Sequence, residues 1–509
     1  MRHPFEQFLE QFVPSFEKKA TQVNKAAWIL ETTSSKDAAD LRAGLEEELR
    51  LMLQCPKTYK LLVAWDRDPS LTDPLLKRQL NILIRAFKQN QISKERIAQI
   101  AEKEAALSYA YSQFRPTLFG KPVSENEIRE VLKNEKEEEK RKAAWCASKE
   151  IGGVLGPKIL ELVQLRNEAA QSLGYSNFFT MQLALQEVDE AFLMQMLEEL
   201  AVASDTAYNA MLEELKKALG CRGPLLPWHV ADPFFQEDPL GGQELDALVQ
   251  GVDLLQAAEK FYGKMGLDVK AILKRSDNEE RTGKNQHAFC MHIDRRGDVR
   301  TLNNVKPTIK WLETVLHELG HAVYELGFDT ALPWLLREPP HMITTEAMAL
   351  IAGRQAYKQD SLEHLIGKKV EVGNSLKRRQ LIFSRFVLVM TAFERGLYTN
   401  PSQDLNCLWW DCVEKYQKIM RPKGREGSSD WAAKYHIGMA PVYYFSYLLG
   451  EVFASAIEEK IHSFCSGNTG EFLQDKLFRP GNKMSWNDLI CHVTGKPLSI
   501  QPWITHFAL

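Results

Sequence analysis

The stretch Trp311-Leu312-Glu313-Thr314-Val315-Leu316-His317-Glu318-Leu319-Gly320-His321 decides how this chain is read. The residues leading into His317 are compatible with a helix and include no proline or glycine. Residues four apart lie on one helical face, so His317 and His321 can aim two imidazoles at a single metal ion. Glu318 stands beside them without being forced to coordinate and is free to act as a general base. Two histidines still leave a catalytic zinc one protein ligand short of three.

Glu346 is the candidate for that ligand. It enters Met342-Ile343-Thr344-Thr345-Glu346-Ala347-Met348-Ala349-Leu350-Ile351-Ala352, whose Ala, Leu and Met content predicts a helix capped by Thr344 or Thr345. A carboxylate in so apolar a run has a reason to be there if it meets a cation. A glutamate near a helix start is also favoured by the helix dipole alone. Beside an HExxH segment the ligand reading is preferred. The expectation is one Zn2+ per chain, held by His317, His321 and Glu346, with Glu318 as the base.

The whole chain is compatible with an enzyme of this kind. Its 509 residues can bury a large core, as two to four domains or one large lobed one. A content of 44% hydrophobic and 26% charged residues is that of a soluble globular protein. The net charge of −3 gives no support for nucleic-acid or anionic-membrane partners. No run is long and apolar enough to span a bilayer. Met1-Arg2-His3-Pro4-Phe5-Glu6-Gln7 leads into an acidic amphipathic pattern and does not read as a secretory signal. Cys55, Cys146, Cys221, Cys290, Cys407, Cys412, Cys465 and Cys491 are scattered without CxxC pairs, so a thiolate zinc site is disfavoured. They read as reduced thiols of a cytoplasmic protein. Nothing in the sequence fixes an oligomeric state.

Nearly everything before residue 220 reads as helix. Phe5, Phe8, Leu9, Phe12 and Phe16 recur at helical spacing despite Pro14, and Thr32-Thr33-Ser34-Ser35 punctuates the pattern before a helix beginning around Asp37. Asp73-Pro74 reads as a cap with a first-turn proline, and Ser124 to Glu127 as a capping box. Lys133 to Lys142 reads as a solvated helix face. Arg222 to Gln243, rich in Pro and Gly but holding Trp228, Phe234 and Phe235, is a long loop expected to pack down. One hairpin is expected, from His287 to Ile293, through a turn at Asp294 to Asp298, and back along Val299 to Leu302. Helix returns from Trp311, broken at Leu332-Pro333, Pro339-Pro340 and the Arg421 to Ser429 loop. The fold class expected is mainly α with one small sheet just upstream of the metal helix.

Several segments together resemble the angiotensin-converting-enzyme-like peptidyl dipeptidases, and more distantly the thimet-type oligopeptidases, all helical gluzincins. Leu332-Pro333-Trp334-Leu335-Leu336-Arg337-Glu338 followed by Glu346 is similar to the family's LPxxLRE stretch and zinc glutamate. His287-Ala288 stands where the family has a His-Ala pair on an edge strand. Lys434-Tyr435-His436 followed by Tyr443-Tyr444-Phe445-Ser446-Tyr447 is similar to its KxH and downstream tyrosines. The specific part runs from roughly residue 285 to 460. The resemblance implies a single two-lobed helical domain over residues 1–509, with a deep cleft that admits short peptides. Two positions depart from it. The family's aspartate one turn after the zinc glutamate is Leu350 here, so the histidine it would support needs another partner. The family's chloride-binding arginine is Ser446, so the resemblance does not extend to chloride activation there.

The resemblance also implies roles. Tyr447 becomes the oxyanion donor, with His436 as a second donor or substrate contact. Tyr444 becomes a substrate-side partner, with Tyr443 competing for that role because the alignment slips by one residue around Pro441. Lys434 would read the substrate's free C-terminal carboxylate, and His287 and Ala288 would pair with its backbone. Read from residues alone, each tyrosine is better taken as a core aromatic and Lys434 as a solvated lysine. His292, His341 and His364 read as structural or surface residues, and Cys290 as packing. The activity expected is zinc-dependent hydrolysis of oligopeptides with release of C-terminal dipeptides. The alternatives are a thimet-type oligoendopeptidase and a catalytically silent zinc protein that binds peptides. The intact Glu318 argues against silence.

Overall fold

Helices make up most of the chain in the computed structural model, which describes residues 2–241, 243–463 and 469–509. Met1, Cys465 and Gly242 of the Arg222 to Gln243 stretch lie outside the described residues. Strands among the described residues form two antiparallel pairs, β1 (Thr117–Leu118) with β2 (Lys121–Pro122) and β3 (Phe289–His292) with β4 (Val299–Leu302). No described helix is long and apolar enough to cross a membrane. The described cysteines are free thiols. The chain divides into two compact units, each gathered from separated segments. The first comprises Met1–Gln91, Gly242–Gly373 and Leu449–Ser499; the second comprises Ile92–Gly241, Asn374–Leu448 and Ile500–Leu509.

The first unit opens with the helix Pro4–Thr33, which runs on through Pro14. His3 caps it: the ring accepts the Phe5 N–H at 3.1 Å, while the Glu6 carboxylate takes the His3 N–H at 3.1 Å. The phenylalanine stripe forms as its spacing predicts, Phe8 stacking on Phe12 and Phe12 on Phe16 at 5.1 and 5.3 Å. Phe5 and Leu9 enter a core with Leu62, Leu80, Phe87 and Trp334. Ser34 takes a left-handed backbone, φ 48°, and ends the helix at the Thr-Thr-Ser-Ser punctuation. Asp73 caps Pro74–Lys88 by accepting the Leu76 N–H at 2.9 Å.

Sheet β3–β4 belongs to this unit and packs against the helix Ile309–Leu326. It is shorter than expected, because His287 and Ala288 precede β3 instead of lying on it. The backbone reason is visible on both sides. The His287 N–H is taken by the Asn285 side chain at 2.9 Å, which bends the chain. Beyond Leu302 the other strand leaves the ladder, and the Asn303 N–H goes to the Asp277 carbonyl at 2.8 Å. No described strand pairs with the outer edge of β3.

In the second unit the loop from Arg222 to Gly241 is packed down, as its aromatic content predicts. Trp228 and Phe235 are buried, and the Trp145 indole donates to the Pro233 carbonyl at 3.1 Å. The Arg141 guanidinium donates to the carbonyls of Trp228 and Val230. Loop carbonyls that water would otherwise serve are thus met by a half-buried side chain. Two expectations need correction here. The Thr117–Pro122 hairpin had no alternating run to announce it, since each strand is two residues long and Phe119 and Gly120 supply the turn with positive φ. The run Lys133–Lys142 is solvent-facing but is not one helix: Glu125–Asn134 stops and Glu138–Ser172 starts. Between them the Glu135 carboxylate accepts the N–H groups of Lys136 and Glu137, which stabilises the break.

Candidate active site

Two helices of the first unit carry the metal candidates. The metal helix, Ile309–Leu326, starts at Thr308, whose hydroxyl accepts the Trp311 N–H at 3.2 Å. The glutamate helix, Met342–Gly353, starts earlier than predicted. Its cap is His341, which accepts the Ile343 N–H at 3.0 Å, so Thr344 and Thr345 lie inside the helix. The Thr344 hydroxyl turns back onto the His341 carbonyl at 2.8 Å.

Gly320 explains how close the helices come. A Cβ there would sit 2.6 Å from the Ala349 Cα and 3.1 Å from the Met348 carbonyl oxygen. Only a residue without a side chain lets the two backbones meet. Behind Glu346, Gly450 of the helix Phe445–Ser463 leaves comparable room, since a Cβ there would lie 2.9 Å from the Glu346 Cβ. The far end of the glutamate helix is pinned by the Arg354 guanidinium, which donates to Glu451 at 2.8 Å and to Glu458 at 2.9 Å.

The result is a convergent triad. Nε2 of His317 lies 3.6 Å from Glu346 Oε2, and Nε2 of His321 lies 3.9 Å from it. The ligand atoms of all three lie within 4.8 Å of one another. A tetrahedral ion with ligands at about 2.0–2.2 Å places those ligands roughly 3.3–3.5 Å apart, so the donor set fits zinc with little adjustment. His321, Glu346 and Glu318 are buried. Burial pushes His317 down to about 4 and His321 down to about 3, so both rings are neutral and their lone pairs available. Burial pushes Glu318 up to about 8, and a divalent cation in the triad would draw it back toward the ionised form.

Surrounding residues are accounted for structurally. The His321 Nδ1 lies 2.7 Å from the Thr345 hydroxyl, a contact the sequence did not disclose. Burial holds the Cys290 thiol well above its ordinary range, as a packing residue requires. His341 is a helix cap, His292 accepts the Gly297 N–H at 3.1 Å in the hairpin turn, and His364 lies on the helix Gln359–Ile366.

The second unit gathers the other candidates. Lys434 is buried, donates to Gln236 Oε1 at 2.9 Å, and faces the rings of Phe386, Tyr444 and Phe234 at 5.0, 5.2 and 5.4 Å. Burial lowers it to about 8, partly opposed by the Asp232 carboxylate. This is not the solvated lysine of the simplest sequence reading. Gln236 was missed because it stands in the Pro-rich loop with no motif around it; only the fold brings it to Lys434. Tyr444 touches His436 at 5.0 Å and Tyr447 at 5.5 Å, while Tyr443 touches Tyr447 at 5.2 Å. Tyr444 is therefore the tyrosine shared by Lys434, His436 and Tyr447. It lies just before the helix that carries Tyr447, so its contact comes from the preceding turn and not from one helical face.

That turn is strained. Val442 has φ 58°, a left-handed backbone costly for a β-branched residue, and its N–H is held by the buried Glu394 carboxylate at 2.9 Å. The one-residue slip next to Pro441 falls at this bend. Ser446 is fully buried, which leaves no long cationic side chain at that position.

A family model described as angiotensin-converting enzyme matches residues 2–211 and 246–471. The angiotensin-converting enzyme of Mesocricetus auratus is 24% identical over 98% of this chain and 42% of its own length. Those of Bos taurus and Sus scrofa are 22% and 23% identical, over 97% and 99% of this chain and 42% of theirs. The chain thus spans about two fifths of the length of the curated relatives it matches. The family match takes in His317, Glu318, His321, Glu346 and the segment from Lys434 to Tyr447; the chain belongs to the angiotensin-converting-enzyme family.

Proposed function

We propose that the protein is a zinc-dependent peptidase of oligopeptides that releases dipeptides from the C-terminus. The observation that carries the reading is the meeting of His317, His321 and Glu346 beside a buried Glu318. Zinc in that triad would supply Lewis acidity, acidifying water and polarising a carbonyl. Glu318 accepts a proton from the attacking water and returns it to the leaving amine. The Tyr447 hydroxyl donates to the developing oxyanion, with His436 as a second donor. Lys434 takes the peptide's free carboxylate, with Gln236 and the Tyr444 ring holding the ammonium in place. Ala288, just ahead of β3, pairs with the substrate backbone, and His287 stands next to it.

The dipeptide reading rests on Lys434. A buried ammonium, ringed by aromatics and with one neutral amide as its nearest acceptor, is suited to an incoming anion. The test is mass spectrometry of the products formed from a peptide library, each peptide offered with a free and with an amidated C-terminus. Dipeptides from the free acids alone support the proposal. Internal cuts that ignore the amide would favour the endopeptidase. Zinc uptake with no turnover of either set would favour a binding protein.

A further inference from the structure

An imidazole that gives its Nε2 lone pair to a metal must carry its proton on Nδ1, and whatever accepts that proton fixes the tautomer and the ring rotation. In His321, Nε2 is the nitrogen that faces Glu346 Oε2, so Nδ1 is the one needing an acceptor. Leu350, one turn beyond Glu346, is apolar and cannot serve. The Thr345 hydroxyl lies 2.7 Å from Nδ1, and both Thr345 and His321 are buried.

We propose that Thr345 is the positioning residue of the zinc site, accepting the Nδ1–H of His321 and so directing Nε2 toward Glu346. The inference rests on the zinc reading above. Its geometry is economical, because Thr345 precedes Glu346 on the glutamate helix and one turn therefore sets two of the three ligands. A β-branched side chain inside a helix has few rotamers, so the hydroxyl is held without help from outside the helix pair. A neutral hydroxyl also leaves the ring a weaker donor than a carboxylate partner would.

The test compares the wild type with Thr345→Val, which keeps the shape and removes the acceptor, and with Thr345→Ser, which keeps the acceptor. Zinc affinity is measured by competition with a chromophoric chelator. The ring tautomer of His321 is read by nitrogen NMR of selectively labelled, zinc-free protein. Thr345→Val should lose about 10- to 100-fold in zinc affinity, the usual cost of losing such a partner. Thr345→Ser should stay near wild type, and the wild-type ring should be the Nδ1–H tautomer. Equal zinc affinity of the Val variant and the wild type, or an Nε2–H ring in the wild type, would overturn the role of Thr345 while leaving the zinc reading intact. A wild type that takes up no zinc would overturn both.

Discussion

Glu318 is the residue on which chemistry and mere zinc binding part company. Replacing it by Gln preserves shape and leaves the triad untouched, but the amide cannot accept a proton. Glu318→Gln should keep zinc and fall below about a tenth of the wild-type rate; a faster variant would remove Glu318 as the base. Tyr447→Phe should lower kcat by on the order of 10²–10³ with little change in KM, the loss expected for one oxyanion donor. A larger loss in Tyr443→Phe or Tyr444→Phe would transfer the role. Lys434 predicts a pH dependence. Its folded value of about 8 means the ammonium is present below that pH and is lost as pH rises through it. The kcat/KM for free-acid peptides should therefore fall above about pH 8, a limb that the Lys434→Ala variant lacks. Identical profiles for variant and wild type would remove Lys434 from recognition. At this scale the sequence was legible where a role depends on local spacing, as in His317, Glu318 and His321. Gln236 and Thr345 were illegible because each acquires its role from a partner distant in sequence.

Between the residue and the molecule stand the two helices that meet at Gly320. A methyl group there would drive the Ala349 backbone away, and with it Glu346. Gly320→Ala should cost about 1–3 kcal/mol of stability through overpacking, and should weaken zinc binding at the same time. Gly153 provides the contrast, since a Cβ there meets nothing within 4 Å and the residue lies inside the helix Glu138–Ser172. Gly153→Ala should stabilise by about 0.5–1 kcal/mol. Denaturant titration of both variants, with chelator competition for the first, checks the pair; a neutral Gly320→Ala would mean the helices are not in close contact. Element boundaries were legible where a cap is local, at Asp73 and Ser124. They were misplaced at the glutamate helix, where a histidine nitrogen does the work expected of a threonine, and at β3, where Asn285 takes the amide that strand pairing would have used.

At the scale of the whole chain, periodicity was enough to predict a mostly helical protein with a sheet against the metal helix. It could not predict the interleaving of two units. The Pro- and Gly-rich loop ends at one of the points where the chain passes between them, but another division falls inside the helix Phe445–Ser463. The metal triad belongs to the first unit and the Lys434 to Tyr447 group to the second. The decisive measurement is product analysis of free-acid and amidated oligopeptides, in the presence of a chelator and again after zinc is restored. C-terminal dipeptides should form from the free acids only, vanish with the chelator and return with zinc. Cleavage that persists without zinc, or that treats acid and amide alike, would contradict it.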